Sequence, residues 1–352
     1  MKAKRPPGAP AGSRVDAASR IHTASRIHNG LVGARALIGT PYLADEGLRA
    51  EYQRDIAPRT GVALRKILTE ILPAQGVRAR PTSVMDLGAG TGAVGEALRD
   101  LFGRGHRLVE VDRVARGGTT RAADVTCVDA LAAFGAPFDL VIAAHVLNEL
   151  YLDEAPAARA LRLARLVRAW SEELLGEGGV LVVIEPALRE TSRALLAVRD
   201  QVLAAGLHVV APCFFTGPCP ALLRERDWCH DSAPDATGRR IDFSYLVVRA
   251  AGVMIPRAAP NRFRVVSDPL PEKGRLRLFG CGDDGRHALV RLDRHASPAN
   301  AGLDSVGRGD VIEVARTTFA GDGLRVGPDT TVARVTASSP IAGCDVPGGE
   351  PT

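Results

Sequence analysis

The sequence predicts an α/β protein built on a largely parallel sheet with helices on both faces. Three observations predict it. From residue 83 onward, short continuous apolar runs alternate with segments of helical periodicity, as expected for strands buried on both faces. The glycine-rich stretch "DLGAGTG" (86–92) falls between the first such run and the first such helix, where a doubly wound sheet places a ligand-binding turn. Two strand-like runs, "LHVVAPC" and "DFSYLVVRAA", close the pattern with no helix between them, which predicts an antiparallel final strand.

Taken in order, residues 1–30 read as a basic tail rich in Pro, Gly and Arg, without apolar periodicity and expected to be disordered. The near-repeat "ASRIHTASRIH" (18–28) fits either the start of a helix or an organelle-targeting segment. Residues 31–80 read as a helical extension, from the spacing of Leu48, Tyr52, Ile56, Val62, Ile67 and Ile71. Residues 81–252 form the α/β unit: strands at "SVMDLGAG", "RLVEVD", "FDLVIAAHVL" and "GGVLVVIEPA", with a helix at "AVGEALRDLF". Two further helices are expected from about Glu154 to Leu175, stopping at Gly176, and over 190–205. A cysteine-rich insertion covers 211–240. Over 253–342 the pattern changes to short β-runs punctuated by Gly, Asp and Pro, which predicts a small β-barrel or sandwich. Residues 343–352 read as a second disordered tail.

Of the 352 residues, 46% are hydrophobic and 24% charged, the balance of a soluble globular chain. No apolar run is long enough for a membrane helix, and the first thirty residues lack the apolar core of a secretory signal, so an intracellular protein is expected. The formal net charge of +5 is carried by Lys2, Lys4, Arg5, Arg14, Arg20 and Arg26 against Asp16 alone. The remaining chain is neutral overall, and its Arg bias fits genome composition at least as well as RNA binding. In an intracellular chain, clustered cysteines more often bind metal or do chemistry than form disulfides.

The glycine loop reads G-x-G-x-G, with Asp86 two residues ahead, whereas a dinucleotide fingerprint reads G-x-G-x-x-G. That spacing points away from NAD. Residues 83–150 resemble motifs I to IV of class I S-adenosylmethionine-dependent methyltransferases: "VMDLGAGTG", "VEVD", "VDAL" and "FDLVIAAHVLNEL". The resemblance implies a Rossmann-like methyltransferase sheet whose loop, with Asp86, Gly88, Gly90 and Gly92, packs on the methionine part of the cofactor. It also implies that Asp112 takes the ribose hydroxyls and that Asp129 lies near the adenine amino group. A single such acid is as readily an exposed strand-end carboxylate; four elements in order are less readily explained so. The Asn-Pro-Pro-Tyr loop of amino-directed nucleic-acid methyltransferases is absent, and "HVLNEL" stands in its place. His145 and Glu149 are the nearest acid–base candidates there, and they serve equally well as packing or capping residues. No catalytic residue is assigned.

Cys213, Cys219 and Cys229 fall in the segment joining the last two sheet strands, and Cys281 ends "GRLRLFGC". Their spacing, C-x5-C-x9-C and then 51 residues to the last, lacks the close pairs usual for zinc and favours iron–sulfur. Small buried core thiols are an equal alternative from spacing alone. Phe214, Phe215 and Trp228 are placed to exclude water, while Cys127, in the strand-three region, and Cys344 read as bystanders.

The pattern "HVVAPC…CP…WCH…DFSYLVV" with "KGRLRLFGC" closely resembles the methyltransferase-like assembly factors of the small ribosomal subunit of bacteria and mitochondria, from about residue 40 to about 295. This resemblance implies a [4Fe–4S] cluster on Cys213, Cys219, Cys229 and Cys281, with His230 in support, and zinc as the alternative metal. It further implies a partnership with the small subunit and its rRNA, no membrane association, a monomer, and a cytoplasmic location in a bacterium or a mitochondrial one in a eukaryote. The chain departs from the family in having only "HDSAPDATGRRI" between Cys229 and "DFSYLVV". Three functions stay open: a methyltransferase acting on rRNA or a protein of the particle, a non-catalytic assembly factor, and a small-molecule methyltransferase with a structural zinc.

Overall fold

The computed structural model describes residues 26–77, 80–115, 119–249, 259–321 and 323–336. Most of the basic tail, the C-terminal tail and Cys344 lie outside the described residues.

The first sheet contains β1 (Ser83–Leu87), β2 (Arg107–Asp112), β3 (Thr120–Ala122), β4 (Phe138–Ala144), β5 (Leu175–Pro186), β6 (His208–Ala211), β7 (Asp231–Pro234) and β8 (Arg240–Arg249). Its order is β3-β2-β1-β4-β5-β8-β6, with β7 paired to β8. The first five strands run parallel, and β8 is antiparallel to β5, β6 and β7. This order, with one antiparallel strand inserted before the edge, is that of the class I methyltransferase sheet, and the expected antiparallel closing strand is β8.

Alternation along each strand divides the core in two. Met85 and Leu87 of β1, Val141 of β4 and Leu181 and Val183 of β5 face one layer, where Leu163, Val167 and Trp170 of the helix Pro156–Glu173 pack. Val84, Leu140, Ile142, Val182 and Ile184 face the other, against Ala63 and Leu64 of the helix Ala57–Lys66 and Val94 and Leu98 of the helix Ala93–Phe102. Burial of a side chain such as Leu87 or Val183 is worth about 1.5–3 kcal/mol, so these two layers dominate the stability of the unit. Trp170 is fully buried, and its indole N–H donates to the Val125 carbonyl at 2.9 Å, anchoring helix to loop. The helix ends at Glu173 rather than at Gly176, because Gly176 already lies in β5, where the pairing with β4 shifts register between Phe138 and Leu140.

The second sheet contains β9 (Arg262–Val265), β10 (Leu270–Glu272), β11 (Arg275–Gly282), β12 (Gly285–Leu292), β13 (Val311–Ala315), β14 (Thr318–Ala320), β15 (Gly323–Val326) and β16 (Thr331–Arg334). Its order is β14-β15-β12-β11-β9-β13-β16, with β12 and β15 parallel. Phe263, Val265, Leu278, Leu289, Ile312, Val314 and Leu324 fill one separate core. One strand path, with a parallel pair among antiparallel neighbours, packs on this one core.

Among the described residues, ion pairs join the two sheets. Asp231, fully buried, accepts from Lys66 Nζ at 3.1 Å and lies 3.4 Å from Arg264 of β9, while Arg286 of β12 reaches Asp227 at 2.8 Å. The segment "HDSAPDATGRRI", read as a short connection, is instead the hairpin β7–β8 that carries this buried aspartate.

Candidate functional site

Gly88, Gly90 and Gly92 adopt φ of +73°, +53° and +86°, a region that costs other residues strain, and so the loop needs glycine. At Gly88 a Cβ would stand 2.7 Å from Val146 Cγ2, so the loop also packs too closely for a side chain. Gly92 caps the helix Ala93–Phe102 without any side-chain cap, leaving first-turn N–H groups for a ligand. Asp112, at the end of β2, accepts from Gly90 N–H at 2.9 Å through one carboxylate oxygen and from Val114 N–H at 3.3 Å through the other. Each oxygen keeps a lone pair for a further donor.

Asp86 lies beneath the loop, 1% exposed, and neither of its oxygens has a partner among the described residues. Burial, then the charges of Glu110 and Asp112, hold its carboxyl well above the usual range. Asp129 is exposed in the first turn of the short helix Val128–Ala132. Cys127, expected within a strand, is exposed ahead of that helix.

The N-terminal helices form the roof. Leu43 Cδ1 comes within 3.5 Å of where a Gly90 Cβ would be, and Tyr42 donates to Glu149 Oε1 at 3.1 Å. Beneath it lie the ends of β4 and β5. His145 sits at φ +61°, is half-buried and pairs with the Thr60 hydroxyl at 3.1 Å; burial lowers its pKa to about 4, so the ring is neutral. Glu185 Oε1 accepts from the Leu147 and Asn148 N–H groups at 2.8 and 3.3 Å, and burial raises its carboxyl to about 8. Burial also raises Glu149, against the pull of Tyr42. Of this group the sequence singled out His145 and Glu149. Thr60, Asn148 and Glu185 were missed, although an acid inside the apolar run "VLVVIEP" is itself a signal.

Cys213, Cys219, Cys229 and Cys281 line one cavity of about 380 Å³, with Phe215, Phe279, Arg199 and Arg264 in its walls. The connection between β6 and β7 thus meets strands of the second sheet there. Burial raises the Cys213 thiol against the pull of Arg199, and burial with the neighbouring Cys213 pushes Cys219 up to about 12. Cys281 is raised by burial and then by Cys229. Arg264 Nη1 lies 3.3 Å from Cys229 Sγ, and Arg199, 2% exposed, is bound by Asp200 and by the Phe215 and Gly217 carbonyls. Two fixed cations facing four thiols suit a group that binds as thiolates. The thiols share the cavity without gathering at one point: among the described residues, no three His, Cys, Asp or Glu side chains stand ready to hold a single metal ion. Phe214 differs from expectation by lining another cavity, beside Lys66 and Asp310. Trp228 is 38% exposed and so shields the site only in part, its ring edge-on to buried His230 at 5.8 Å.

Sheet order and a glycine turn at its switch point define a protein with the class I methyltransferase fold. The family described as the mitochondrial small ribosomal subunit Rsm22 matches residues 50–325, and the chain belongs to that family. No curated protein sequence matches it significantly. Among solved structures it is similar to the fibrillarin pre-rRNA processing protein of Methanococcus jannaschii, at 11% identity and TM-score 0.35 over 56% of this chain and 76% of that one. It is also similar to human N-acetylserotonin methyltransferase in complex with S-adenosylmethionine, at 15%, 0.31, 65% and 60%. For Aeropyrum pernix fibrillarin with natively bound S-adenosyl-L-methionine the values are 14%, 0.28, 54% and 73%. No described helix is long and apolar enough to cross a membrane.

Proposed function

We propose that this protein binds S-adenosylmethionine at the glycine loop, carries a [4Fe–4S] cluster on Cys213, Cys219, Cys229 and Cys281, and acts in maturation of the small ribosomal subunit through contact with rRNA. The carrying observation is that four thiols, distant in sequence, line one cavity in a member of a small-subunit family. A cube-shaped cluster holds its thiolates on separate corners and spans more room than one ion, so thiols spread round a cavity suit it better than they suit zinc. When bound, the cluster would supply four iron–thiolate links that tie β11 to the segment 213–229. Arg199 and Arg264 would offset the thiolate charge.

At the glycine loop, Asp112 would accept hydrogen bonds from two hydroxyls, while Gly88, Gly90 and the helix N-terminus would admit a polar ligand against backbone. Asp86, buried beneath the loop, keeps two oxygens unpaired among the described residues, and Asp129, exposed in the first turn of its short helix, would meet the adenine amino group. S-adenosylmethionine would supply an electrophilic methyl group. Transfer of that group requires mainly alignment, and a base only where the acceptor has a proton to lose. A second reading, an assembly factor without turnover, is favoured by the roof of Tyr42 and Leu43 over the loop and by the absence of an assigned base. A location in bacterial cytoplasm or in mitochondria follows the source of the ribosome.

The test is anaerobic purification, with iron and sulfide analysis and an S-adenosylmethionine titration on the same sample, followed by sequencing of copurified RNA. About four iron and four sulfide per chain, saturable cofactor binding and enrichment of small-subunit rRNA are expected. Stoichiometric zinc with no sulfide would refute the cluster. Methyl incorporation into immature subunits separates the enzyme from the assembly factor.

A further inference from the structure

Within the connection that carries three of the thiols, residues 221–228, "ALLRERDW", form a loop held in one shape by an arginine. The Arg193 guanidinium, on the helix Arg189–Ala204, donates to the carbonyls of Ala221, Arg224 and Asp227 at 3.0, 2.8 and 2.6 Å. Arg286 of β12 donates to Asp227 Oδ2 at 2.8 Å and ties the loop to the second sheet. We propose that this loop and the adjoining strands β11 and β12 form the surface that binds single-stranded rRNA, with a base stacked on Trp228 and phosphates held by Arg224 and Arg226. The inference deepens the rRNA-contact reading above and rests on it.

A loop whose carbonyls turn in toward one cation sends its side chains outward. Leu223 is 82% exposed, Trp228 38%, and Arg226 exposes 80% of its side chain, with Arg224 exposed as well. Two large apolar side chains held in water on one fixed loop add nothing to the core, and such surface marks a partner's place.

Charge identifies the partner. In and against the loop, Arg193, Arg224, Arg226 and Arg286 outnumber Glu225 and Asp227 by two. Asp227 already serves Arg286 and lies 4.0 Å from Arg226, while Arg224 has no ion pair among the described residues. The exposed guanidinium groups are therefore open to a polyanion. In a chain that is neutral overall beyond residue 30, that surplus is local. The rings beside it narrow the choice of anion. Trp228 meets buried His230 edge-on at 5.8 Å, which fixes its plane. Phe279 of β11 has the guanidinium carbons of Arg277 and Arg286 at 5.6 and 5.7 Å from its centroid. Trp228 and Phe279 line one wall with Arg224 and Arg226. Aromatic rings set among guanidinium groups take unpaired bases by stacking while the cations follow the backbone. A duplex hides its base faces, and an acidic peptide leaves the rings unused.

The experiment is fluorescence anisotropy of a labelled decauridylate with the full chain, purified anaerobically, over a series of salt concentrations. Arg224→Ala combined with Arg226→Ala should flatten the plot of log K against log salt by about 1.4, since each phosphate contact on a single strand contributes about 0.7. Trp228→Ala should weaken binding roughly ten-fold with that slope unchanged, and Trp228→Phe, which keeps a ring, should restore most of it. Arg168→Ala, on the helix Pro156–Glu173, should change neither quantity. Parent affinity and slope in the folded arginine variant overturn the inference while leaving RNA contact standing, as does folded Trp228→Ala that binds like the parent. Should Trp228→Ala fail to fold, the arginine pair decides alone. Loss of binding to immature subunits in Trp228→Ala with RNA affinity kept assigns the surface to a ribosomal protein and also overturns it. Failure of the unmodified protein to bind either the decauridylate or a small-subunit rRNA fragment removes the RNA reading as well.

Discussion

Two residues of the central site carry opposing demands. Glu185, raised from 4.5 to about 8, prefers its proton in the folded state. That contribution is fully present below pH 4.5 and is lost as pH rises through about 8. His145, lowered from 6.5 to about 4, prefers to be neutral; its contribution is present above pH 6.5 and is lost as pH falls toward 4. Glu185→Gln should therefore flatten the decline in melting temperature between pH 5 and pH 8, and an unchanged slope in thermal melts would contradict the assignment. Gly88→Ala places a Cβ 2.7 Å from Val146 at a φ of +73°, with an expected cost of about 1–3 kcal/mol and weaker S-adenosylmethionine binding. Calorimetric titration with the cofactor checks the second effect, denaturant unfolding the first. The glycines and Asp112 were legible in the sequence because backbone conformation and strand ends are local properties. Thr60, Asn148 and Glu185 were not, since their importance comes from neighbours far along the chain.

Among the elements, β11 has the most dependent position. Cys281, on this strand, meets the segment 213–229 of the other sheet's connection, and a short strand path with its own small core gains little from that contact without a bound group. Cys281→Ser should speed limited proteolysis within 259–336 in anaerobically prepared protein while leaving S-adenosylmethionine affinity nearly intact; identical digestion of variant and parent would count against the cluster as a tie. Element types were readable where a strand buried on both faces shows as an apolar run, as for β1, β4, β5 and β8. The short strands β3, β7, β10, β14 and β15 escaped notice, because three or four residues carry too little pattern to separate a strand from a turn.

Across the whole molecule, Asp231 holds three elements together: Lys66 on the helix Ala57–Lys66, the hairpin β7–β8 and Arg264 on β9. Its replacement by alanine leaves two mostly buried cations without their shared anion, with an expected cost of about 3–5 kcal/mol. A denaturation midpoint that barely moves would show that the two sheets do not depend on this contact. The same aspartate excludes a side chain at Gly309, where a Cβ would stand 1.9 Å from Asp231 Oδ1.

The sequence by itself determined the alternation of strands and helices, the glycine turn, the antiparallel close of the first sheet and the change to β-structure beyond it, since each depends on periodicity or on local backbone freedom. Only the tertiary structure decided that Leu43 comes over the glycine loop, that Glu185 and Asn148 line one cavity, and that Cys281 meets the three thiols of the segment 213–229. Those facts depend on contacts between residues separated by tens to hundreds of positions, and local pattern carries no record of which distant surfaces will be buried against each other.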